Sequence, residues 1–118
     1  MLAYATLARI SAEKQQLDGR DRFLILAGAT ACRAGWLDVA ARCRELVLAH
    51  NPHHLLGGHS SFPDALRSDE FEPFLKQLER NCSYERAEHL LRELGTEPPV
   101  ADTPESDAGR AALHLLDV

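Results

Sequence analysis

The apolar residues of this chain recur at the spacing of an amphipathic helix, and this periodicity limits the fold more than any other feature. Leu24, Ala27, Gly28 and Ala31 follow one another at i, i+3, i+4 and i+7, which places them on one helical face. No segment alternates polar and apolar residues as a half-buried strand would. The sequence therefore predicts an all-α fold of five or six helices, arranged as antiparallel helical hairpins.

Residues that start or stop helices divide this pattern into separate elements. Gly19 is expected to break the first helix, and Gly35 lies where a helix commonly ends in a left-handed residue. Pro52 should stop the following helix, because the residue before a proline is disfavoured in the helical region. The hydroxyl of Ser83 can cap a last helix, which Gly95 should end.

The composition changes after Gly95. Residues 96–118 are rich in proline, acidic and small residues and carry four of the five net negative charges of the chain. A segment of this kind buries too little apolar surface to offset the entropy lost on ordering. The sequence predicts a helical-hairpin domain at residues 1–95 and a mobile tail at residues 96–118, whose final AALHLLDV could form a helical turn that docks on the domain or a neighbour.

Several classes of protein are disfavoured by composition. The chain has 118 residues, the size of one domain, and its net charge of −5 without a long basic stripe argues against nucleic-acid binding. It has no apolar run near the roughly 20 residues that cross a membrane, and its N-terminus does not resemble a secretory signal. Cys32, Cys43 and Cys82 form an odd set without CxxC spacing, as expected for core residues of a reduced compartment. A cytoplasmic protein is predicted.

Residues 21–54 resemble one tetratricopeptide repeat, without a gap across the 34-residue period. Leu24 corresponds to the large residue of the first helix, Gly28 to its small contact residue, Ala40 to the small residue of the second helix, and Pro52 to the end of the unit. The resemblance implies that two antiparallel helices approach each other closely at Gly28 and Ala40.

A second, degenerate unit is expected at about residues 69–95. A shift by 47 residues places Ala40 on Ala87 and Pro52 on Pro99. So few units leave apolar end faces uncovered, because longer arrays close their ends with polar capping helices. The chain is therefore expected to self-associate, as a homodimer.

The resemblance implies a non-catalytic protein–protein interaction or scaffold module, with a groove lined by the first helix of each hairpin. Carried over residue by residue, the partner-binding surface comprises Arg22, Ile25, Ala29, Arg33 and, from the second hairpin, Arg80. The carboxylate-binding members of the family use asparagine and lysine where Ile25 and Ala29 stand here. Arg22 and Arg33 are the candidates for contacting an acidic peptide, and the expected partner is another protein or peptide.

An alternative function follows from four histidines within ten residues, His50, His53, His54 and His59. Imidazole binds zinc, nickel or copper, so these residues suggest a metal-binding protein. Their spacing does not match a known four-ligand pattern, and histidines near a helix end also favour the negative end of the helix dipole.

A small enzyme is the third possibility. The sequence has no nucleophile elbow, no glycine-rich phosphate loop and no carboxylate pair on one predicted inner face. No catalytic residue and no cofactor are therefore predicted.

Overall fold

A computed structural model describes residues 2–95 and Leu116, and within those residues it contains six α-helices, one 3-10 helix and no strand. The all-α prediction is confirmed. The elements in chain order are α1 (Leu2–Glu13), α2 (Leu17–Ala34), α3 (Leu37–His50), the 3-10 helix (Leu55–Gly58), α4 (Phe62–Leu66), α5 (Phe71–Asn81) and α6 (Tyr84–Glu93).

Helix α2 is the centre of the molecule. It packs along α1 and α3, to which it is joined by short turns, and it also contacts α4 and α5. Seven residues of α2 that are apolar or glycine are buried together with Asp21. The first three helices therefore form two hairpins that share α2.

Helices α5 and α6 each pack mainly on earlier helices of the chain. Helix α5 lies against α2 and α4, whereas α6 returns to α1, near the start of the chain. Helix α6 begins as predicted, because the Ser83 side chain accepts a hydrogen bond from the backbone N–H of Arg86 at 3.3 Å. The expected second unit at residues 69–95 thus contains two helices that pack against different helices of the molecule.

The predicted break at Gly19 is wrong. Helix α1 ends at Glu13, Gln15 adopts a left-handed conformation with φ 59°, and α2 begins at Leu17. Gly19 therefore lies in the first turn of α2, where Asp18 favours the positive end of the helix dipole.

The turn between α2 and α3 agrees with the sequence analysis. Gly35 has φ 88°, and the N–H of Trp36 donates to the carbonyl of Ala31 at 2.8 Å. This arrangement satisfies the last carbonyls of α2, as a left-handed glycine cap does. Helix α3 ends at His50, two residues before Pro52, which confirms the second predicted stop.

Gly28 makes room for an aromatic ring. A Cβ atom at Gly28 would lie 2.3 Å from an atom of the Phe62 ring, and Phe62 is itself buried. The resemblance implies that Gly28 allows α2 and α3 to approach closely. In the structure, the space beside Gly28 is filled by the Phe62 ring of α4. Ala40 is fully buried in α3.

The apolar residues of α5 and α6 are largely covered by the chain itself. Phe71, Leu75, Leu78, Ala87 and Leu91 are buried. At the end of α6, Leu94 keeps 47% of its surface exposed. The homodimer stays a prediction, and these five apolar side chains of the expected second unit are already packed within one molecule.

In the described part of the chain, none of the helices combines the length and apolar character needed to cross a membrane. The cytoplasmic location stays a prediction. The predicted mobile tail lies outside the described residues, apart from Leu116, which is helical and buried.

Candidate functional site

A groove of about 270 Å³ lies where α1, α2 and the α5–α6 junction meet. We call it the tyrosine groove. One residue comes from α1, four from successive turns of α2, and three from the end of α5 and the start of α6. The lining residues are Tyr4, Leu26, Ala29, Thr30, Arg33, Glu79, Ser83 and Tyr84.

Two tyrosines from opposite ends of the described chain form one wall of this groove. The rings of Tyr4 and Tyr84 meet edge to face with centroids 5.2 Å apart. The Tyr4 hydroxyl donates to the carbonyl of Cys82 at 2.9 Å, and the N–H of Ala3 donates to the Tyr84 hydroxyl at 3.2 Å. These bonds fix α6 against α1 and give the groove a rigid aromatic wall.

The Tyr4 hydroxyl is a hydrogen-bond donor and not a base. Burial raises its pKa well above the ordinary value, and the nearby Cys82 and Glu79 raise it further. Tyr4 as a whole is 4% exposed, so its hydroxyl is held in the neutral form beside the Cys82 carbonyl. Tyr4 therefore shapes the groove and donates a hydrogen bond to a backbone carbonyl.

The rim of the tyrosine groove carries an exposed ion pair. Arg33 on α2 approaches Glu79 on α5 to 3.1 Å, and their side chains are 57% and 38% exposed. Pairs this exposed contribute about 0–1 kcal/mol to stability, because water competes for both charges. The pair can open at little cost and expose the guanidinium or the carboxylate.

The structure brings two of the five residues of the predicted partner-binding surface into this groove. Ala29 and Arg33 line it. Ile25 and Ala29 are each 1% exposed and belong to the core, so neither has appreciable surface to offer a partner, although Ala29 lines the groove. Arg22 and Arg80 are exposed outside the groove, although Arg80 directly follows Glu79.

Sequence reasoning missed Tyr4, Glu79 and Tyr84. The signal available was weak: each tyrosine stands near the start of a helix, and a tyrosine combines an apolar ring with a polar tip that buried sites must satisfy. Their meeting depends on the packing of α6 on α1, and nothing in the local pattern of either helix indicates it.

The four histidines of the alternative metal site have different neighbours and do not converge on one point. His50 donates from Nδ1 to Asp21 at 2.5 Å, which ties the end of α3 to the start of α2. His53 is exposed, and the ring of His59 lies 6.5 Å from that of Phe71. Across residues 2–95 and Leu116, no three side chains of His, Cys, Asp or Glu are grouped to hold a metal ion.

His54 caps the 3-10 helix and packs on the core. Its Nδ1 accepts a hydrogen bond from the backbone N–H of Leu56 at 3.1 Å, and its ring lies edge-on to Phe74 at 5.6 Å. Burial lowers the pKa of His54, which opposes the partial rise caused by Asp21. This ring nitrogen is engaged within the fold.

Burial disfavours the thiolate form of all three cysteines. Burial raises the pKa of Cys43 to about 12 and raises the pKa values of Cys32 and Cys82 as well. Only the thiolate attacks electrophiles, so a raised pKa suppresses reactivity at neutral pH. These cysteines act as small core or boundary residues.

No protein family, curated protein or solved structure matches this chain. The likeness to the tetratricopeptide repeat accordingly rests on the sequence pattern of residues 21–54.

Proposed function

We propose that the protein is a non-catalytic interaction module of the cytoplasm that binds another protein or peptide in the tyrosine groove. The observation that carries the proposal is the groove itself, an opening of about 270 Å³ with an aromatic wall and an exchangeable ion pair at its rim. Helix α2, the first helix of the tetratricopeptide-like hairpin, presents Arg33 to the partner at the rim of the groove.

The chemistry of the lining suits a peptide segment. Tyrosine and arginine are enriched at the energetic centres of protein interfaces, because they combine a large contact area with directed hydrogen bonds. An acidic side chain of the partner would take the place of Glu79 on Arg33, and the exposed pair resists this exchange weakly.

A comparison of two ion pairs tests this function. Arg33→Glu reverses the charge at the groove, and Arg67→Glu is the matched control, because Arg67 is also an exposed arginine paired with one carboxylate, Asp64 at 3.3 Å. Each variant and the wild type are used as bait in the native cell extract, with recovered proteins measured by quantitative mass spectrometry. Thermal unfolding checks that both variants fold.

A partner bound through the groove should be recovered by the wild type and by Arg67→Glu, and its recovery should fall about tenfold with Arg33→Glu, because the reversed charge repels an acidic side chain of the partner. Equal recovery of every protein by the two variants would show that the groove is not the binding surface.

A further inference from the structure

Leu116 is buried in a second cleft, which shares no residue with the tyrosine groove. The side chain is 5% exposed, and the residue is helical. The cleft, which we call the α1–α3 cleft, is lined by Ala8, Arg9 and Ala12 of α1, Arg20 and Leu24 of α2, and Leu46 of α3. With Leu116 in place about 30 Å³ remains, enough for a water or two.

We propose that the α1–α3 cleft is a docking site for a short apolar helix, and that residues 111–118 of the same molecule occupy it. Leu116 is the anchor of this segment. The protein therefore carries its own ligand for a surface separate from the one through which it binds its partner.

The shape of the cleft fits a helix with a narrow apolar face. Ala8 and Ala12 stand one helical turn apart on α1, and their small side chains leave room for a backbone to approach. In the segment AALHLLDV, Ala112, Leu113 and Leu116 fall on one face when the residues are helical. Leucine at the centre of such a face matches the apolar floor formed by Leu24.

Charge also favours this occupant. Arg9 and Arg20 line the cleft, where Arg9 also pairs with Glu13 at 3.2 Å and Arg20 with Asp21 at 3.1 Å. Residues 96–118 carry a net charge of −4, and Asp117 directly follows the buried Leu116. Opposite charge at the edge of an apolar site orients a ligand and speeds its association.

The connection within one chain is long enough. Twenty residues separate Gly95 from Leu116, and an extended chain of that length spans up to roughly 70 Å. The largest dimension of the molecule is 36 Å. A tether of this kind keeps the segment at an effective concentration near the millimolar range, so an added copy of the segment must compete with it.

Competition by an added peptide provides the test. A fluorescent peptide of residues 109–118 is titrated with the full-length wild type, with Leu116→Asp and with His114→Asp. The last variant is the matched control, because it introduces the same acidic group on the opposite side of the helical wheel. Circular dichroism checks folding, and Leu116→Ala replaces Leu116→Asp where the latter fails to fold.

The peptide should bind Leu116→Asp at least about tenfold more tightly than it binds the wild type or His114→Asp, because the variant frees the cleft. A peptide that itself carries Leu116→Asp should not bind. Equal binding to all three proteins, or no binding to the folded Leu116→Asp protein, would overturn the proposal. A wild-type dimer that becomes monomeric in Leu116→Asp would also overturn it, because the occupant would then be a second copy.

Discussion

At the residue scale, the contact between Gly28 and Phe62 links the sequence pattern most directly to packing. The ring of Phe62 occupies the space that a side chain at position 28 would need. Because the ring is buried and held between α2 and α5, it cannot swing away freely. Packing of α4 therefore requires glycine at position 28. This packing outweighs the destabilisation that a glycine causes in the middle of α2.

We expect Gly28→Ala to lower the free energy of unfolding by about 1–2 kcal/mol, because the cost of overpacking exceeds the gain in helix propensity. Urea unfolding measures the change. Gly19→Ala is the control in the same helix, since its Cβ would meet no atom closer than 4.0 Å. That control should gain about 0.5 kcal/mol.

The clash is specific to one ring, so a double-mutant cycle identifies it. Gly28→Ala with Phe62→Leu should cost about 1 kcal/mol less than the sum of the single variants, because the smaller side chain vacates the space. Additive costs would show that Gly28 is required for a different contact.

His54 gives the stability a pH dependence of known sign. Its pKa is lowered in the folded state from 6.5, chiefly by burial, so the unfolded chain binds more protons. The stability due to neutral His54 is therefore complete above the unfolded pKa and is lost as the pH falls below it. Protonation at Nδ1 would also remove the acceptor for the N–H of Leu56.

We expect the wild type to lose more stability than His54→Asn when the pH is lowered from about 7.5 to about 5. Asparagine keeps an acceptor for the capping hydrogen bond but does not titrate. Urea midpoints at the two pH values give the comparison. Parallel losses in the two proteins would contradict the assignment of this slope to His54.

At the element scale, two clusters of charges join helices with unequal strength. The start of α2 is tied to the end of α3 by Asp21, whose carboxylate accepts from His50 and from Arg20 at 3.1 Å. Arg20 also donates to the carbonyl of Leu46 at 3.3 Å. This cluster is largely buried, whereas the Arg33–Glu79 pair that joins α2 to α5 is exposed.

We expect Asp21→Ala to destabilise the protein by about 2 kcal/mol, because it leaves two donors of α2 and α3 without their buried acceptor. Glu79→Ala should cost less than about 1 kcal/mol, since it removes one exposed ion pair. Thermal or urea unfolding of both variants measures the difference. Equal costs would mean that burial does not distinguish the two clusters.

The ends of the elements show what the sequence can predict. Gly35 and Pro52 act through their own backbone chemistry, so the stops of α2 and α3 were predicted correctly. The chain leaves α1 through a left-handed Gln15, and glutamine has no preference for that conformation. The sequence therefore predicts the break at Gly19, after the true end of α1.

The same limit applies to the candidate site. The helical period of α2 places Ala29 and Arg33 on the groove, and both could be predicted from a single helix. Tyr4 and Tyr84 meet because α6 packs on α1, and the donor Ala3 and its acceptor Tyr84 are 81 positions apart in the sequence. A contact of that sequence separation follows from the closed packing of the whole chain, which no local pattern encodes.

At the scale of the whole molecule, this closure distinguishes the chain from an extended repeat array. In an array each unit contacts only its neighbours, and the ends can unfold separately. Here the hydrogen bonds of Ala3 with Tyr84 and of Tyr4 with Cys82 connect the two ends of the described helices, and α2 contacts four other helices. The helices should therefore depend on one another for stability.

We expect residues 2–95 to unfold in a single cooperative transition. The fluorescence of Trp36, the sole tryptophan in the sequence, reports on the turn between α2 and α3, and far-UV circular dichroism reports on all helices. Their urea midpoints should coincide, because loss of any helix uncovers α1 or α2.

Tyr84→Ala removes the ring contact and the acceptor that fix α6, and should lower the unfolding free energy by about 2 kcal/mol. Both midpoints should fall together. An unchanged Trp36 midpoint with an earlier partial loss of helix would show that α6 unfolds on its own, as an end unit of a repeat array would.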